Sequence, residues 1–599
     1  MHQGLRLSRI WLVLVLVAFC LPLFNGLGIP DLETDEAIYS FAVDRILEVG
    51  DWLEPKSSPS ETAVFLEKPP LKFWLVAAPI KAGLLPHDEF GLRFLDAVAG
   101  SAAFVYVFAI GSILAGPVCG AVAVLLLFVH WPLLFAHGLR SNNMEASLVL
   151  SYCGGVFHVL RWSAVDEPRG RTGHAVAASL WFVLGFMTKF VAALFLPFML
   201  ATAVVVTPRV RARLFAEWRL WGACAGLVLL LCAPWFAYAH VRFGSQLWET
   251  ILGEHVLKRM TAYLDPTHLH PWYWYLQQMW KEFENEQMRW LIVAGVVTLL
   301  VQAARRRWFE GMVVLLWAAV PMAIISAGTS KLYHYAYPYL PPITLAAGYL
   351  VALVVMLAPA PLRRLLEAAE DRVATRLAPL LGSPVSPGAR RIAMVLVTVG
   401  AALAIGAVAL GGLKFDVGGR TVFRSSGIWR PIALILVAAI VTRSSARVTK
   451  LVVAIVVFNV MPLDAYRGQL EWTSRGAHPM RSAAACVQQV QASAGTNAGI
   501  YIDMPEGIWH PLYYYFRRVR PVTEATTPLD PVIDRYLLDP AAARPVLISD
   551  TAWRKYQMRR AQAGGSALSP PMVPFLNSLL LLPGPYATCS PEARLLTPR

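Results

Sequence analysis

Apolar stretches of roughly 15 to 25 residues recur from Ile10–Phe24 to about residue 463, each near the length at which a helix crosses a hydrocarbon core of about 30 Å. Within lipid only helices and closed barrels satisfy the backbone, and these stretches are continuous rather than alternating, so helices are selected. With 57% hydrophobic and 15% charged residues, the chain is too apolar for a set of ordinary soluble domains. The fold class expected is a mainly α, polytopic membrane helical bundle. About thirteen transmembrane helices are predicted, near 9–26, 91–114, 117–136, 142–161, 173–188, 190–206, 219–239, 289–304, 311–328, 337–358, 391–412, 429–442 and 449–463.

Every second loop between these spans is basic: Arg161, Arg169 and Arg171; Arg209, Arg211, Arg213 and Arg219; Arg305, Arg306 and Arg307; then the arginines from Arg363 to Arg391; and finally Arg443, Arg447 and Lys450. Positive loops stay inside, which places these loops and the N-terminus in the cytoplasm and, with an odd number of spans, the C-terminus outside. The formal charge of +15 is therefore topogenic, and a nucleic-acid partner is excluded because no soluble basic face exists. Ile10–Phe24 follows Arg6 and Arg9 and lacks a small-x-small cleavage site, so it reads as a retained signal anchor. The seven cysteines are scattered without metal or redox spacing, and no N-x-Ser/Thr sequon occurs.

The opposite loops carry the chemistry. Residues 1–463 form the transmembrane domain, whose first external loop is 27–90, with further external segments at 240–288 and 328–337. Residues 464–599 form an extracytoplasmic domain. There GIYID, RPVTEA and PVLISD read as strands, while HPLYYYFRR and PLDPVIDRYLL read as helices, giving a small α/β module. In the first loop Asp31, Glu33, Asp35 and Glu36 open an amphipathic, interfacial helix. Acids in a first turn favour the helix dipole. Clustered at a membrane surface they also suit ligand binding. Further on, Glu67 and Lys68 precede Pro69 and Pro70, which hold the backbone extended at the entry to a second interfacial helix. Lys68 reads either as a lysine snorkelling to the interface or as a cation for phosphate.

The motifs TDEAIYSFAVDRILEVGDW, LEKPPLKFWL, GLRSNNMEASL, FMTKF, APWFAYAHVRFG with GEHVLKRM, and TSKLYHYAYPYLPP recur in family order over residues 31 to about 345. In this the chain resembles the C-type membrane glycosyltransferases that use polyprenyl-phosphate sugars, including the aminoarabinose transferases and protein O-mannosyltransferases. The resemblance implies that Asp35 is the general base on the acceptor hydroxyl and that Glu145, where the family usually has an aspartate, positions the acceptor. It implies Lys68, Lys189 and Arg259 as donor phosphate-binding cations, and Glu36, Lys331, Tyr333 and Tyr335 as pocket residues. Glu67 and His255 match positions that hold a divalent metal in the aminoarabinose branch. Ile38 stands where that branch has an arginine.

The function so implied is inverting transfer of a sugar from a polyprenyl-phosphate-linked donor to a lipid, glycan or protein acceptor, at the extracytoplasmic face of a bacterial inner membrane. A lipid phosphate is already a good leaving group, so cations at the phosphate and one base suffice. The alternatives are a transporter or lipid flippase, or a non-catalytic member of the same fold. Transport would place ionisable residues at the middles of spans. Here the middles are almost uncharged, and Glu145 and Lys189 lie near span ends.

Overall fold

The computed structural model describes residues 23–357 apart from 25, 59–63, 264, 287 and 307, and beyond them separate helices and strands between residues 388 and 582. The spans expected at 9–26, 391–412, 429–442 and 449–463 lie wholly or almost wholly outside the described residues. So do the strand expected at RPVTEA and nearly all of the helix expected at PLDPVIDRYLL.

The helices used below are α1 (Thr34–Asp44), α2 (Leu71–Lys81), α3 (Glu89–Ala115), α4 (Pro117–Val129), α5 (Glu145–Ala164), α6 (Pro168–Ala193), α7 (Phe195–Val206), α8 (Pro208–Ala216), α9 (Trp218–Phe243), α10 (Trp274–Asn285), α11 (Arg289–Arg306), α12 (Phe309–Ala327) and α13 (Leu340–Leu357). Towards the C-terminus follow α14 (Pro479–Ala494), α15 (Trp509–Phe516) and α16 (Asp550–Gln562). The chain divides into two units, one of residues 1–27, 66–76 and 93–468 and one of residues 28–65, 77–92 and 469–599.

The first unit is helical and membrane-spanning in composition. Among the described residues five helices are long and apolar enough to cross a bilayer: α3, α6, α9, α12 and Tyr333–Val354. The pair α7 and α8 adds a sixth if counted together, although it bends by 111°. Pro208 causes that bend, since the residue before a proline is pushed out of the helical region, and Thr207 has φ −113° and ψ 96°. The single span expected over 117–136 is interrupted at His130 (φ −71°, ψ 92°), where α4 gives way to the short helix Trp131–Phe135, with a proline in its first turn. The two spans expected either side of Lys189 are α6 and α7; α6 runs on to Ala193 across a non-helical Lys189 (φ −143°, ψ 63°).

Lipid gives helices no hydrophobic drive to associate, so close packing through small residues holds them. A Cβ on Gly348 of α13 would strike the Cys119 carbonyl of α4, and one on Gly111 of α3 would strike the backbone of Gly120. Apolar side chains left outside these contacts suit lipid, as on α9, where Leu229 and Leu230 are 65% and 69% exposed. One ion pair is sealed within the unit: Lys72 Nζ stands 2.5 Å from Asp96 Oδ2 and donates to Asn142 Oδ1 at 3.1 Å. A short hairpin, β1 (Leu413–Val417) with β2 (Arg420–Ser425), is antiparallel and has no counterpart in the sequence reading.

The second unit combines α1, α14, α15 and α16 with a four-stranded sheet of β3 (Tyr501–Ile502), β4 (Val546–Ser549), β5 (Val573–Leu576) and β6 (Leu579–Leu582). The strand order is β3-β4-β6-β5, with β3 and β4 parallel and the remaining pairs antiparallel. Its core is aromatic, with Phe41 of α1 against Tyr513 and Tyr514 of α15. Cys486 on α14 is in a disulfide.

Candidate active site

Two of the residues implied by the motifs, Asp35 and Glu36, belong to the second unit. There most of the acidic cluster has structural work. Glu36 is 1% exposed and its carboxylate accepts from the Glu33 N–H at 2.9 Å, closing the first turn of α1. Asp31 accepts from the Met480 N–H at 2.7 Å, at the start of α14, with Arg481 4.0 Å away. Burial pushes the Asp31 carboxyl up to about 6 despite those partners. Arg481 also pairs with Glu89 and donates to the Ile29 carbonyl at 2.7 Å, and Tyr515 Oη bridges Glu89 Oε1 and the Leu32 N–H, each at 2.8 Å. Asp35 lies half-buried in the first turn of α1. Glu36 thus caps its own helix in this structure.

In the first unit, residues far apart in sequence converge. Glu67 Oε2 lies 3.6 Å from Lys68 Nζ and 3.2 Å from His255 Nε2. Pro69 and Pro70 fix the chain ahead of α2, so Glu67 and Lys68 are presented by a stiff segment. His255 comes from the irregular helix Glu249–Lys258, immediately before Arg259. Burial pushes the Glu67 carboxyl up, but the His255 hydrogen bond and the charges of Lys68, His255 and Arg259 outweigh it and hold it at about 2. The His255 imidazole is lowered, by burial first and then by Lys68 and Arg259.

A second cluster surrounds Glu145, at the start of α5. Lys189 Nζ stands 2.5 Å from Glu145 Oε1. The non-helical backbone at Lys189 interrupts α6 where this side chain turns to its partner. His334 Nε2 lies 3.8 Å from the same oxygen, and its ring stacks on His137 with centroids 4.9 Å apart. His137 has φ +52°, a left-handed conformation rare outside glycine. Tyr335 joins the two clusters: Lys189 Nζ lies 5.0 Å from its ring centre and the Arg259 guanidinium 5.6 Å, both within cation–π reach.

Of the implied residues, Glu67, Lys68, Glu145, Lys189, His255, Arg259 and Tyr335 thus form one contiguous, mainly cationic group. Lys331 and Tyr333 are engaged elsewhere. Lys331, 1% exposed, donates to the His270 carbonyl at 3.0 Å and to the Gly328 carbonyl, so it ties the 328–337 segment to the preceding loop. Tyr333 Oη meets His130 Nε2 at 3.1 Å, and His130 Nδ1 meets Glu286 Oε2 at 2.8 Å. Both anchor the segment that carries His334 and Tyr335. The sequence reading missed His137 and His334; His334 was within the quoted SKLYHYAYP segment, whereas His137 stood one residue before GLRSNNMEASL.

Glu67 and His255 supply two donors toward a divalent ion, and among the described residues no group of three or more His, Cys, Asp or Glu forms a metal-binding cluster. The three cations exceed the two carboxylates by one charge, which suits a bound phosphodiester.

A family described as dolichyl-phosphate-mannose-protein mannosyltransferase matches residues 67–238. An undecaprenyl phosphate-alpha-4-amino-4-deoxy-L-arabinose arabinosyl transferase of Pseudomonas fluorescens is 26% identical over 346 residues, 57% of this chain and 57% of its own length. One from Pectobacterium carotovorum is 27% identical over 370 residues, 60% of this chain and 61% of its own. The chain therefore spans a little over half the length of the curated relatives it matches. The crystal structure of ArnT from Cupriavidus metallidurans bound to undecaprenyl phosphate superposes with a TM-score of 0.58 at 18% identity, covering 96% of this chain and 98% of that one. The chain shares the fold of this ArnT. The same protein in its apo state gives a TM-score of 0.57 at 17% identity, so the likeness does not depend on one ligand state. On this fold Glu67, Lys68, Glu145, Lys189, His255, Arg259 and Tyr335 converge within the first unit.

Proposed function

We propose that the chain is a glycosyltransferase of the bacterial inner membrane, moving a sugar from a polyprenyl-phosphate donor to an acceptor hydroxyl or phosphate on a lipid A-type glycolipid, a protein or another envelope glycan. The observation that carries this reading is the convergence of Lys189 and Arg259 on Tyr335, with Lys68 and Arg259 both acting on Glu67, on a fold whose relatives are named arabinosyl transferases. In the reaction the acceptor oxygen attacks the anomeric carbon from the face opposite the phosphate and its proton passes to a carboxylate, for which Asp35 is the proposed base. The bond from the anomeric carbon to the phosphate oxygen breaks, and the polyprenyl phosphate leaves with its new charge held by Lys68 and Arg259. One base and inversion follow, since no covalent sugar intermediate is needed. Glu145 holds Lys189 and is available to position the acceptor.

About thirteen spans, an α/β domain over 464–599 and a site on the periplasmic face complete the proposal. The disulfide at Cys486 supports an extracytoplasmic tail, because disulfides persist in oxidising compartments. A divalent ion, if used, would rest on Glu67 and His255 and take its other donors from the phosphate; no step above depends on it. EDTA should then lower turnover, with Mn²⁺ or Mg²⁺ restoring it, and EDTA-insensitive turnover would leave the two residues as an ion pair only.

Reconstitution of the purified chain with radiolabelled undecaprenyl-phosphate sugars and membrane glycolipid acceptors tests the activity. Lys68→Met at saturating donor should cut turnover by roughly 30-fold to 1,000-fold, as expected for one lost charge-assisted contact in the transition state. Rates within about threefold of the parent would return Lys68 to a snorkelling role.

A further inference from the structure

A cavity of about 650 Å³ opens at the end of the first unit away from the cationic group just described. Its walls come from five places that the arginine pattern assigns to the cytoplasm or its boundary: the end of α3 at Leu114, the end of α5 at Ser163 and Ala164, the break between α7 and α8 at Thr207, the turn from α11 to α12, and the last turns of α13 at Tyr349, Leu353 and Met356. Segments as far apart in sequence as Leu114 and Met356 meet there because the helices between them cross the membrane in pairs.

The lining divides by chemistry. Arg209 and Arg306 bring two guanidiniums, both on exposed residues, and neither makes an ion pair or hydrogen bond among the described residues. Glu310, in the first turn of α12, is the one carboxylate of the lining. The net charge of these three groups is +1. Phe309, Leu353 and Leu114 form an apolar wall beside them, and Trp308 packs on Tyr349 with ring centres 5.4 Å apart.

We infer that this cavity binds the headgroup of an anionic phospholipid of the cytoplasmic leaflet. A phosphodiester carries one negative charge and matches the net +1, whereas a phosphate monoester carries nearly two. The apolar wall accepts the start of an acyl chain, which inorganic phosphate lacks. Guanidinium pairs grip phosphate oxygens through several donors at once, and basic pockets between helices on the cytoplasmic side are suited to anionic lipid. The inference does not depend on the transfer reaction proposed above.

The test is native mass spectrometry of the full chain in detergent, with phosphatidylglycerol or phosphatidylcholine added, and with inorganic phosphate or undecaprenyl phosphate as competitors. The parent should retain one phosphatidylglycerol and not phosphatidylcholine. Arg209→Gln with Arg306→Gln should weaken retention roughly 30-fold, two lipid-facing cations at about 1 kcal/mol each. Ala164→Trp fills the cavity while keeping both guanidiniums, so it should also lose the lipid, and it carries the test if the arginine variant does not insert. Equal phosphatidylglycerol retention by parent and Ala164→Trp overturns the inference. So does displacement by millimolar inorganic phosphate, which would mean a bare anion site, or preferential capture of undecaprenyl phosphate, which would mean a carrier-lipid site.

Discussion

Lys68 and Lys72 sit four residues apart in one motif, yet the structure gives them opposite duties, and replacing each by Met should separate those duties. Lys72 is 1% exposed and Asp96 0%, with 2.5 Å between charged atoms and Asn142 taking a second ammonium hydrogen. Removing Lys72 leaves a buried carboxylate without its counter-charge, a change that costs about 3 to 5 kcal/mol. Replacing the whole pair by apolar residues removes the desolvation penalty with the attraction, so Lys72→Met with Asp96→Leu should return to within about 1 kcal/mol of the parent. Equilibrium unfolding in mixed micelles can be followed with a maleimide dye, because Cys119, Cys153, Cys224 and Cys232 are free and at most 5% exposed until the helices separate. Lys68→Met should leave this unfolding curve in place and lose turnover instead. Two results would refute the reasoning: a Lys72→Met loss under about 1 kcal/mol, or a double variant as unstable as the single one.

Arg259→Gln should lower turnover by about tenfold or more through loss of phosphate charge, with the effect shrinking when the donor is replaced by an uncharged analogue in a binding assay. Glu145→Gln should weaken the hold on Lys189, seen as a rise in KM for acceptor together with lower kcat, and a change in neither would remove Glu145 from the site. Asp31 has a folded-state value raised to about 6, so the second unit should lose stability as pH rises from about 4 to about 6 and then level off. Asp31→Asn should flatten that dependence. Glu67 is held down at about 2, so its contribution is present above about pH 4.5 and lost as pH falls towards 2; with its side chain 42% exposed, solvent screening limits it to about 1 kcal/mol or less.

Among the described residues the hydropathy pattern located the helices because length and apolarity are what a bilayer demands of a span, whatever its neighbours. It failed at His130, where a proline two residues on interrupts a run whose composition alone is that of one span. The first-loop acids show a different limit. Asp31, Glu33, Asp35 and Glu36 are the same chemistry in one short segment, but only tertiary structure assigns Asp31 to the start of α14 and Glu36 to its own helix turn. Spacing cannot reveal a partner about 450 residues away. The cationic group was legible through its motifs, and the imidazoles beside it were not, since a histidine between two tyrosines signals nothing until its ring meets His137 and its nitrogen approaches Glu145.

That difference has a physical cause which bears on function. A lysine or arginine in a membrane protein carries a cost of several kcal/mol unless it is paired or hydrated, so each one near a span end announces that something accounts for it. Three answers occur in this chain: an internal counter-charge for Lys72 and Lys189, backbone carbonyls for Lys331, and a mixed cluster with one charge in excess for Lys68 and Arg259. Of these three, only the last leaves charge over for a ligand within that group. In the proposed reaction a lipid phosphate would meet such an excess, while Lys331 and Tyr333 anchor the surrounding segment without neutralising the cations themselves.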